Sequence, residues 1–182
     1  MLSGSRGAVM SQTSVLSGTG AAARVRIQTA QFDVSEEIAA LQQNDPRIGA
    51  VCTFLGTVRD RNVHGAEHAG SVQTLELEHY PGMTEKSIEA MIDEAHTRFD
   101  IYGVRVVHRV GVMYPTEPVV LVAAASAHRG ESFKACEFVM DYLKTQAPFW
   151  KKEQTAQGAQ WVDARVSDDR ALARWGIDKR NA

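Results

Sequence analysis

Short stretches of alternating or continuous apolar residues along the chain predict a series of β-strands. Arg24 to Phe32 places apolar or β-branched residues at every second position, the pattern of a half-buried strand. Ile48 to Val58 is mostly apolar and β-branched, which predicts a strand covered on both faces and central in its sheet. Val72 to His79 alternates less regularly but also predicts a strand. Val104 to Met113 and Val119 to Ala127 are two further apolar runs, and the proline-containing connection between them predicts a hairpin.

Other stretches repeat apolar residues at the spacing of a helix. The capping residue Asp33 predicts a short helix that ends near Pro46. A second helix starts at Thr84, and a third ends shortly before Pro148, because the residue before a proline disfavours helical backbone angles. The predicted apolar stripes are Ile88, Met91, Ile92, Ala95 and Phe99 in the second helix, and Phe133, Cys136, Met140 and Leu143 in the third.

The order of these elements favours an α+β fold over a doubly wound parallel sheet. With a weak strand around Gln160 to Arg165, the order is β-α-β-β-α-β-β-α-β, which mixes hairpins with helices. A chain of 182 residues fits a single domain, which we place at residues 24–165. Residues 1–23, rich in serine, glycine, alanine and threonine, are interpreted as a disordered leader. Residues 166–182 are expected to form a short helix or a frayed tail, and Arg59 to Ser71 a mobile loop.

Composition narrows the classes of function. The formal net charge of -2 provides no positive field that would attract nucleic acid. No apolar run is long enough to span a membrane, so we expect a soluble protein. Cys52 and Cys136 lie in apolar runs without the spacing of a zinc site or a disulfide framework, which predicts buried thiols in a reducing, cytoplasmic compartment. His64 and His68 have no third ligand in view, and we expect no metal site.

The stretch from Ser126 to Glu153 carries the strongest candidates for chemistry. His128 and Arg129 lie where a strand runs into a helix, and the unpaired N–H groups of a helix start favour an anion there, with phosphate as the natural ligand. The alternative is that a serine merely caps the helix and Arg129 is solvated. Lys144 and Lys151 flank the predicted turn, either as a functional pair or as two surface lysines.

Several runs in the sequence resemble one known family. The most specific are HYPGMTEK, from His79, and MDYLKTQAPFWKKE, from Met140; they are accompanied by FLGTVRDRN from Phe54, VVHRVG from Val106 and SAHRGESF from Ser126. Together they resemble the large, catalytic subunit of molybdopterin synthase over about Arg24 to Ala164. The leader lies outside the resemblance, and the loop from Arg59 to Ser71 is longer than in some members.

The resemblance implies a fold, an activity and partners. The expected fold is of the α/β hammerhead type, with a mixed or antiparallel sheet and flanking helices. Family members form homodimers that bind a small ubiquitin-like subunit at each end, which gives a heterotetramer. The small subunit ends in a Gly-Gly thiocarboxylate, whose sulfur passes twice to cyclic pyranopterin monophosphate to make the dithiolene of molybdopterin. No cofactor is implied. No nucleophilic cysteine is needed, because sulfur arrives on the partner.

The resemblance also assigns roles to residues. Lys144 and Lys151 match the catalytic lysines, one as general acid or base and the other to stabilise an oxyanion, with the distribution of the roles left open. Arg59, His128 and Arg129 match the positions that bind the anionic substrate, although a loop arginine such as Arg59 is often only solvated. Met140 matches a pocket-lining position that is shared across the dimer interface. Two alternatives stay open: a noncatalytic dimeric scaffold for a ubiquitin-like partner, and a phosphate-ester transferase that uses the same anion pocket.

Overall fold

The computed structural model describes residues 23–60, 72–155, 158–162 and 174–176. These ranges contain three helices and eight strands, and the strands form two four-stranded sheets. The elements are β1 (Val25–Gln28), α1 (Val34–Gln42), β2 (Ala50–Thr57), β3 (Val72–His79), α2 (Met83–Arg98), β4 (Gly103–Arg109), β5 (Gly111–Met113), β6 (Pro118–Ser126), α3 (Arg129–Thr145), β7 (Phe149–Thr155) and β8 (Gly158–Val162). This mixed architecture confirms the predicted α+β fold class.

The first sheet is mixed, and its strand order is β1-β4-β6-β2. β1 pairs with β4 in parallel, whereas β6 pairs antiparallel with both β4 and β2. The central strand β6 is buried from Val119 to Ser126 because helices cover the sheet. α2 and α3 contribute to this core with Ile88, Ile92, Phe138 and Val139, all of which are completely buried. The main core of the molecule therefore lies between the first sheet and these two helices.

The prediction that the strand at Ile48 to Val58 is central in its sheet is wrong. β2 forms the edge of the first sheet, and β6 occupies the central place instead. Phe54 and Leu55 are 40% and 46% exposed. The apolar character of this edge is therefore not explained by burial within a single copy of the chain.

The second sheet is antiparallel, with the order β5-β3-β7-β8. One of its faces covers a small core formed by Val58, Leu75, Leu77, Met113 and Val119. The predicted strand from Val104 to Met113 is divided between the two sheets, because Gly111 adopts a φ of +82° and turns the chain out of the first sheet.

All three predicted helices are confirmed, including the short one capped by Asp33, but one predicted contact is not. Ile88, Met91, Ile92 and Ala95 of α2 are buried, as the stripe predicts. α3 ends at Thr145, before Pro148. Phe133, by contrast, is 57% exposed, because the buried position in the first turn of α3 belongs to Ser132. β7 was not predicted as a strand.

A short C-terminal segment docks against α2 and α3. The Trp175 ring makes edge contacts with Phe99 and Phe138 at centroid distances of 5.8 and 5.5 Å, and its Nε1 donates to Oδ2 of Asp141 at 2.8 Å. Nη1 of Arg98 donates to the Trp175 carbonyl oxygen at 2.7 Å. The rest of the predicted tail, residues 1–22 of the predicted leader and most of the predicted loop lie outside the described residues. None of the described helices is long and apolar enough to cross a membrane.

Candidate active site

Lys144 and Lys151 lie on either side of one tight turn. Lys144 is exposed in the last turn of α3, and Lys151 is the third residue of β7, with 36% of its side chain exposed. A backbone hydrogen bond of 2.8 Å from Phe149 N to Ala147 O closes the turn between the two elements. The end of a helix and the start of the strand that follows it therefore carry the two lysines that the sequence singled out.

Lys151 has a partner that the sequence did not reveal. Glu153 lies two residues further along β7, so its side chain projects from the same face of the sheet. Its carboxylate is buried, with 7% of the residue exposed, and lies 2.5 Å from Nζ of Lys151. A buried carboxylate retains its charge best when an opposite charge and hydrogen bonds surround it. Glu153 therefore fixes the direction of the Lys151 ammonium group.

Two histidines pack against the first residue of β7. The His108 ring stacks on the Phe149 ring at a centroid distance of 4.0 Å and an interplanar angle of 19°. The centroid of the His79 ring lies 6.5 Å from that of the Phe149 ring. Nδ1 of His108 donates to the Arg109 carbonyl oxygen at 2.8 Å, and burial lowers the His108 pKa to about 4. His108 is therefore a neutral packing element at physiological pH and not an anion ligand.

His128 and Arg129 lie at the opposite end of α3 from the lysines. His128 is the N-cap residue of α3 and Arg129 is the first residue of the helix, and both are exposed. Ser126 hydroxyl donates to the His128 carbonyl oxygen at 2.7 Å and makes no capping bond. Arg129 and Lys144 are separated by about 22 Å along the helix axis, at 1.5 Å per residue. One copy of the chain therefore does not bring the two groups into one pocket.

Arg59 lies towards the lysine end of the first sheet. It follows β2, whose last residue pairs with Pro118 at the start of β6, whereas His128 follows the end of β6. α3 runs back along β6, and Cys136 in the middle of α3 contacts the middle of β6. The C-terminal end of α3, with Lys144, therefore returns to the end of the sheet at which Arg59 is exposed.

Met140 and the two cysteines belong to the core beneath α3. Met140 is 9% exposed and lies one turn before Lys144. Cys136 is buried, and its Sγ lies 3.8 Å from the Val122 carbonyl oxygen. Burial, together with the neighbouring Cys52 thiol, raises the pKa of Cys136 to about 12. Neither the position nor the protonation of Cys136 suits a nucleophile.

The residues that the structure describes contain no group of three histidine, cysteine or acidic side chains placed to hold a metal ion. His64 and His68 lie outside those residues. Within the described residues, the predicted site residues fall into two sets: Arg59, Lys144 and Lys151 towards one end of the first sheet, and Arg129 beside His128 at the other. Both sets suit an anionic ligand and charge-assisted hydrogen bonds.

Known proteins with similar sequences and structures agree with one another. The family model described as "MoaE protein" matches residues 27–146. A "Molybdopterin synthase catalytic subunit" from Ralstonia nicotianae is 60% identical, with 87% of each chain covered. A solved structure of "Molybdopterin biosynthesis MoaE protein" from Burkholderia ambifaria is 53% identical, with a TM-score of 0.72 and coverage of 86% of this chain and 100% of the other.

A more distant structure shares the fold. It is a protein–protein complex of subunits 1 and 2 of molybdopterin-converting factor from Helicobacter pylori, 21% identical, with a TM-score of 0.63 and coverage of 79% of this chain and 92% of the other. The family match covers more than half of the chain, and the Ralstonia protein is similar over nearly its whole length. The chain therefore belongs to the MoaE family, the catalytic subunits of molybdopterin synthase.

Proposed function

We propose that this chain transfers sulfur from the thiocarboxylated C-terminus of a small ubiquitin-like subunit to cyclic pyranopterin monophosphate, and so forms the dithiolene of molybdopterin. The observation that carries the proposal is the arrangement of Lys144 and Lys151 around one turn, with Lys151 fixed by the buried carboxylate of Glu153. The chain supplies cations and proton-transfer groups but no activated thiol, which suits a reaction in which the partner brings the sulfur.

The two lysines suit the charges that such a reaction develops. The thiocarboxylate sulfur forms a bond to a carbon of the pterin while a carbon–oxygen bond at that carbon breaks, and the departing oxygen takes up a proton. Water then cleaves the acyl–sulfur bond, which leaves a thiolate on the pterin and a carboxylate on the partner. An oxyanion forms at the acyl carbon during this cleavage, and the oriented ammonium group of Lys151 would stabilise it. Lys144 is exposed to solvent, and its side chain would exchange protons with the reacting groups.

The substrate phosphate requires cations that one copy of the chain holds away from the lysines. His128 and Arg129 would bind it from a second copy, whereas Arg59 would act from the lysine end of the sheet. The exposed apolar edge of β2, with Phe54 and Leu55, supports association of two copies. A homodimer with one small subunit at each site, a heterotetramer, satisfies both requirements, and the relative from Helicobacter pylori is itself a complex of two subunits.

The cysteines support a cytoplasmic location for this assembly. Cys52 and Cys136 are both free and contact the same core, and they form no disulfide. Free neighbouring thiols are typical of reducing compartments.

The experiment that tests the proposal supplies the thiocarboxylated partner and the cyclic pterin and detects product by mass spectrometry. We expect two sulfur atoms in the product with the unmodified chain, and a loss of turnover of about 100-fold for Lys144→Ala. Lys134→Ala is the matched control, because Lys134 lies on the same helix and pairs with Glu131 near the helix start, far from Lys144. Binding of the partner without sulfur in the product would contradict the proposal and favour a scaffold; phosphate release without sulfur would favour a phosphate-ester transferase.

A further inference from the structure

The distance between the two lysines depends on the turn that joins α3 to β7. α3 ends at Thr145 and β7 begins at Phe149, so residues 146–148 alone set the angle between the helix and the strand. Lys144 and Lys151 each lie within a few residues of this turn. A shift of the turn would therefore move the two ammonium groups relative to each other. Small misplacements of catalytic groups lower the reaction rate strongly.

The turn is held by a residue that is distant in sequence. Thr84, in the first turn of α2, is completely buried. Its hydroxyl donates to the Pro148 carbonyl oxygen at 3.2 Å and accepts a hydrogen bond from the backbone N–H of Tyr80, also at 3.2 Å. Thr84 therefore links the start of α2 and the end of β3 to the turn between the lysines.

The end of β3 also contacts Phe149, the residue that directly follows the turn. His79, the last residue of β3, is paired with Phe149 in the second sheet, and the two rings lie 6.5 Å apart. His108 of β4 stacks on the Phe149 ring at a centroid distance of 4.0 Å. Both contacts keep Phe149 in place while Thr84 holds Pro148. The last residue of the turn, Pro148, and the first residue of β7, Phe149, are thus both held in place.

We propose that the segment His79 to Lys86, with the sequence HYPGMTEK, is a positioning device for the lysine pair, and that Thr84 is its central positioning residue. The inference rests on the proposed function, since it concerns how Lys144 and Lys151 are arranged for sulfur transfer. Thr84 touches neither lysine in this role; it acts through the Pro148 carbonyl oxygen.

The test compares three substitutions of Thr84 with a control on the same helix. Thr84→Val keeps the shape of the side chain and removes the hydroxyl. Thr84→Ala also removes the hydroxyl and leaves a smaller apolar side chain, whereas Thr84→Ser retains the hydroxyl. The control is Thr97→Val, because the Thr97 hydroxyl also donates to a carbonyl oxygen, that of Glu94 at 2.8 Å, but is exposed and distant from the turn.

We expect Thr84→Val and Thr84→Ala to lower kcat about 10-fold with KM for the pterin changed less than about 2-fold, because the lysines remain present but are poorly aligned. Thr84→Ser should recover most of the lost kcat, and Thr97→Val should match the unmodified chain. Hydrogen exchange supplies a readout that needs no activity. The Phe149 amide, which donates to the Ala147 carbonyl oxygen, should exchange faster in Thr84→Val than in the unmodified chain, and at the unmodified rate in Thr97→Val.

The outcomes separate this inference from the proposed function. Unmodified protein that makes no sulfur-containing product would overturn the proposed function, and the exchange of the Phe149 amide would still decide whether Thr84 holds the turn. Unmodified protein that is active, with Thr84→Val and Thr84→Ala equally active, would overturn the positioning role. So would a Thr84→Ser variant as slow as Thr84→Val, because the hydroxyl would then not be the group that matters.

Discussion

Among individual residues, Glu153 and Glu76 allow a direct comparison of two lysine–carboxylate pairs on one sheet. Glu153 is buried beside Lys151, whereas Glu76 lies 3.5 Å from Lys152 on the opposite face, where both side chains are about one-third exposed. Exposed ion pairs contribute little because water and salt screen them, whereas a buried partner strongly restricts the group that it faces. The two pairs should therefore differ in their importance for activity.

We predict that Glu153→Gln lowers kcat about 10-fold, because Lys151 loses the charge that orients it. Glu76→Gln, which breaks the exposed pair, should leave kcat within about 2-fold of the unmodified chain. Steady-state kinetics of sulfur transfer, with both variants checked for folding by circular dichroism, measure the difference. Equal kinetic effects of the two substitutions would show that the buried pair has no special role.

His108 should make stability depend on pH. Its pKa is about 4 in the folded chain and about 6.5 when unfolded, so the unfolded chain binds more protons between these values. The stability that the neutral ring contributes is complete above about pH 6.5 and is lost as the pH falls towards 4. From pH 7 to pH 4.5 the unmodified chain should lose about 2 kcal/mol more than His108→Asn, which cannot titrate.

Urea unfolding at the two pH values measures this difference. The nearby titrating group is His79, whose charge acts on His108 in the same direction as burial. His96→Asn provides the control, since His96 is exposed on α2, and it should lose the same stability on acidification as the unmodified chain. Parallel losses for His108→Asn and the unmodified chain would contradict the assignment.

The sequence identified both lysines but not Glu153 or His108. Lys144 and Lys151 stand out because of their motif, whereas the partnership of Glu153 depends on β7 being a strand. Phe149 to Thr155 carries mostly polar and charged residues and has no apolar alternation, so its strand structure comes from pairing with β3 and β8. Long-range pairing of this kind leaves no local pattern in the sequence.

At the scale of elements, the docking of Trp175 joins α2 and α3 from outside. Trp175→Ala should destabilise the chain by about 2 kcal/mol, less than a fully buried tryptophan would, because the ring is only partly buried. Trp175→Phe should cost less, since it retains an aromatic ring against Phe99 and Phe138 and loses the bond to Asp141 together with part of the ring.

Urea or thermal unfolding of these variants measures the contribution of the docked segment. Trp161→Ala is the matched control, because Trp161 is 57% exposed on β8, and its loss should change stability by less than about 0.5 kcal/mol. If Trp175→Ala were as stable as Trp161→Ala, the segment would not contribute to holding the two helices.

Most element types followed from the sequence, but the positions of strands in the sheets did not. The stripe of α2 and the strand from Val72 to His79 were correct because a buried face and its period are local properties. β2 was expected in the centre of its sheet because apolar composition cannot distinguish burial within one chain from exposure at an apolar edge. The split at Gly111 was missed because its positive φ depends on which sheet the chain joins next.

At the scale of the whole molecule, the length of α3 decides how a site can be assembled. His128 and Arg129 are at one end of this helix and Lys144 is at the other. The sequence indicated all three residues but not their separation. They lie close together along the chain, whereas the helix between them holds their side chains far apart in space. The proposed function therefore calls for a site built from two copies, each of which would contribute one end of its α3.

Mixing two inactive variants tests this arrangement. Arg129→Ala and Lys144→Ala should each lose activity, and after exchange of subunits in equal amounts about one quarter of the unmodified activity should return, because half of the dimers are mixed and each mixed dimer has one intact site. Mixing Arg129→Ala with itself is the control. No recovery, despite subunit exchange shown by mass spectrometry of the native dimer, would place both groups in a site within one copy.

The pairing of β3 with β7 has a consequence for how the chain is made. Val72 is paired with Thr155, about 80 positions later in the chain, and contacts between such distant segments form slowly because a long loop must close first. During synthesis β7 leaves the ribosome after every helix of the described domain. The strand that carries Lys151 and Glu153 is therefore added to the second sheet after the helices have formed, and among the described strands only β8 follows it. A nascent chain that has already folded its first sheet and helices still lacks the strand that places Lys151 beside Glu153.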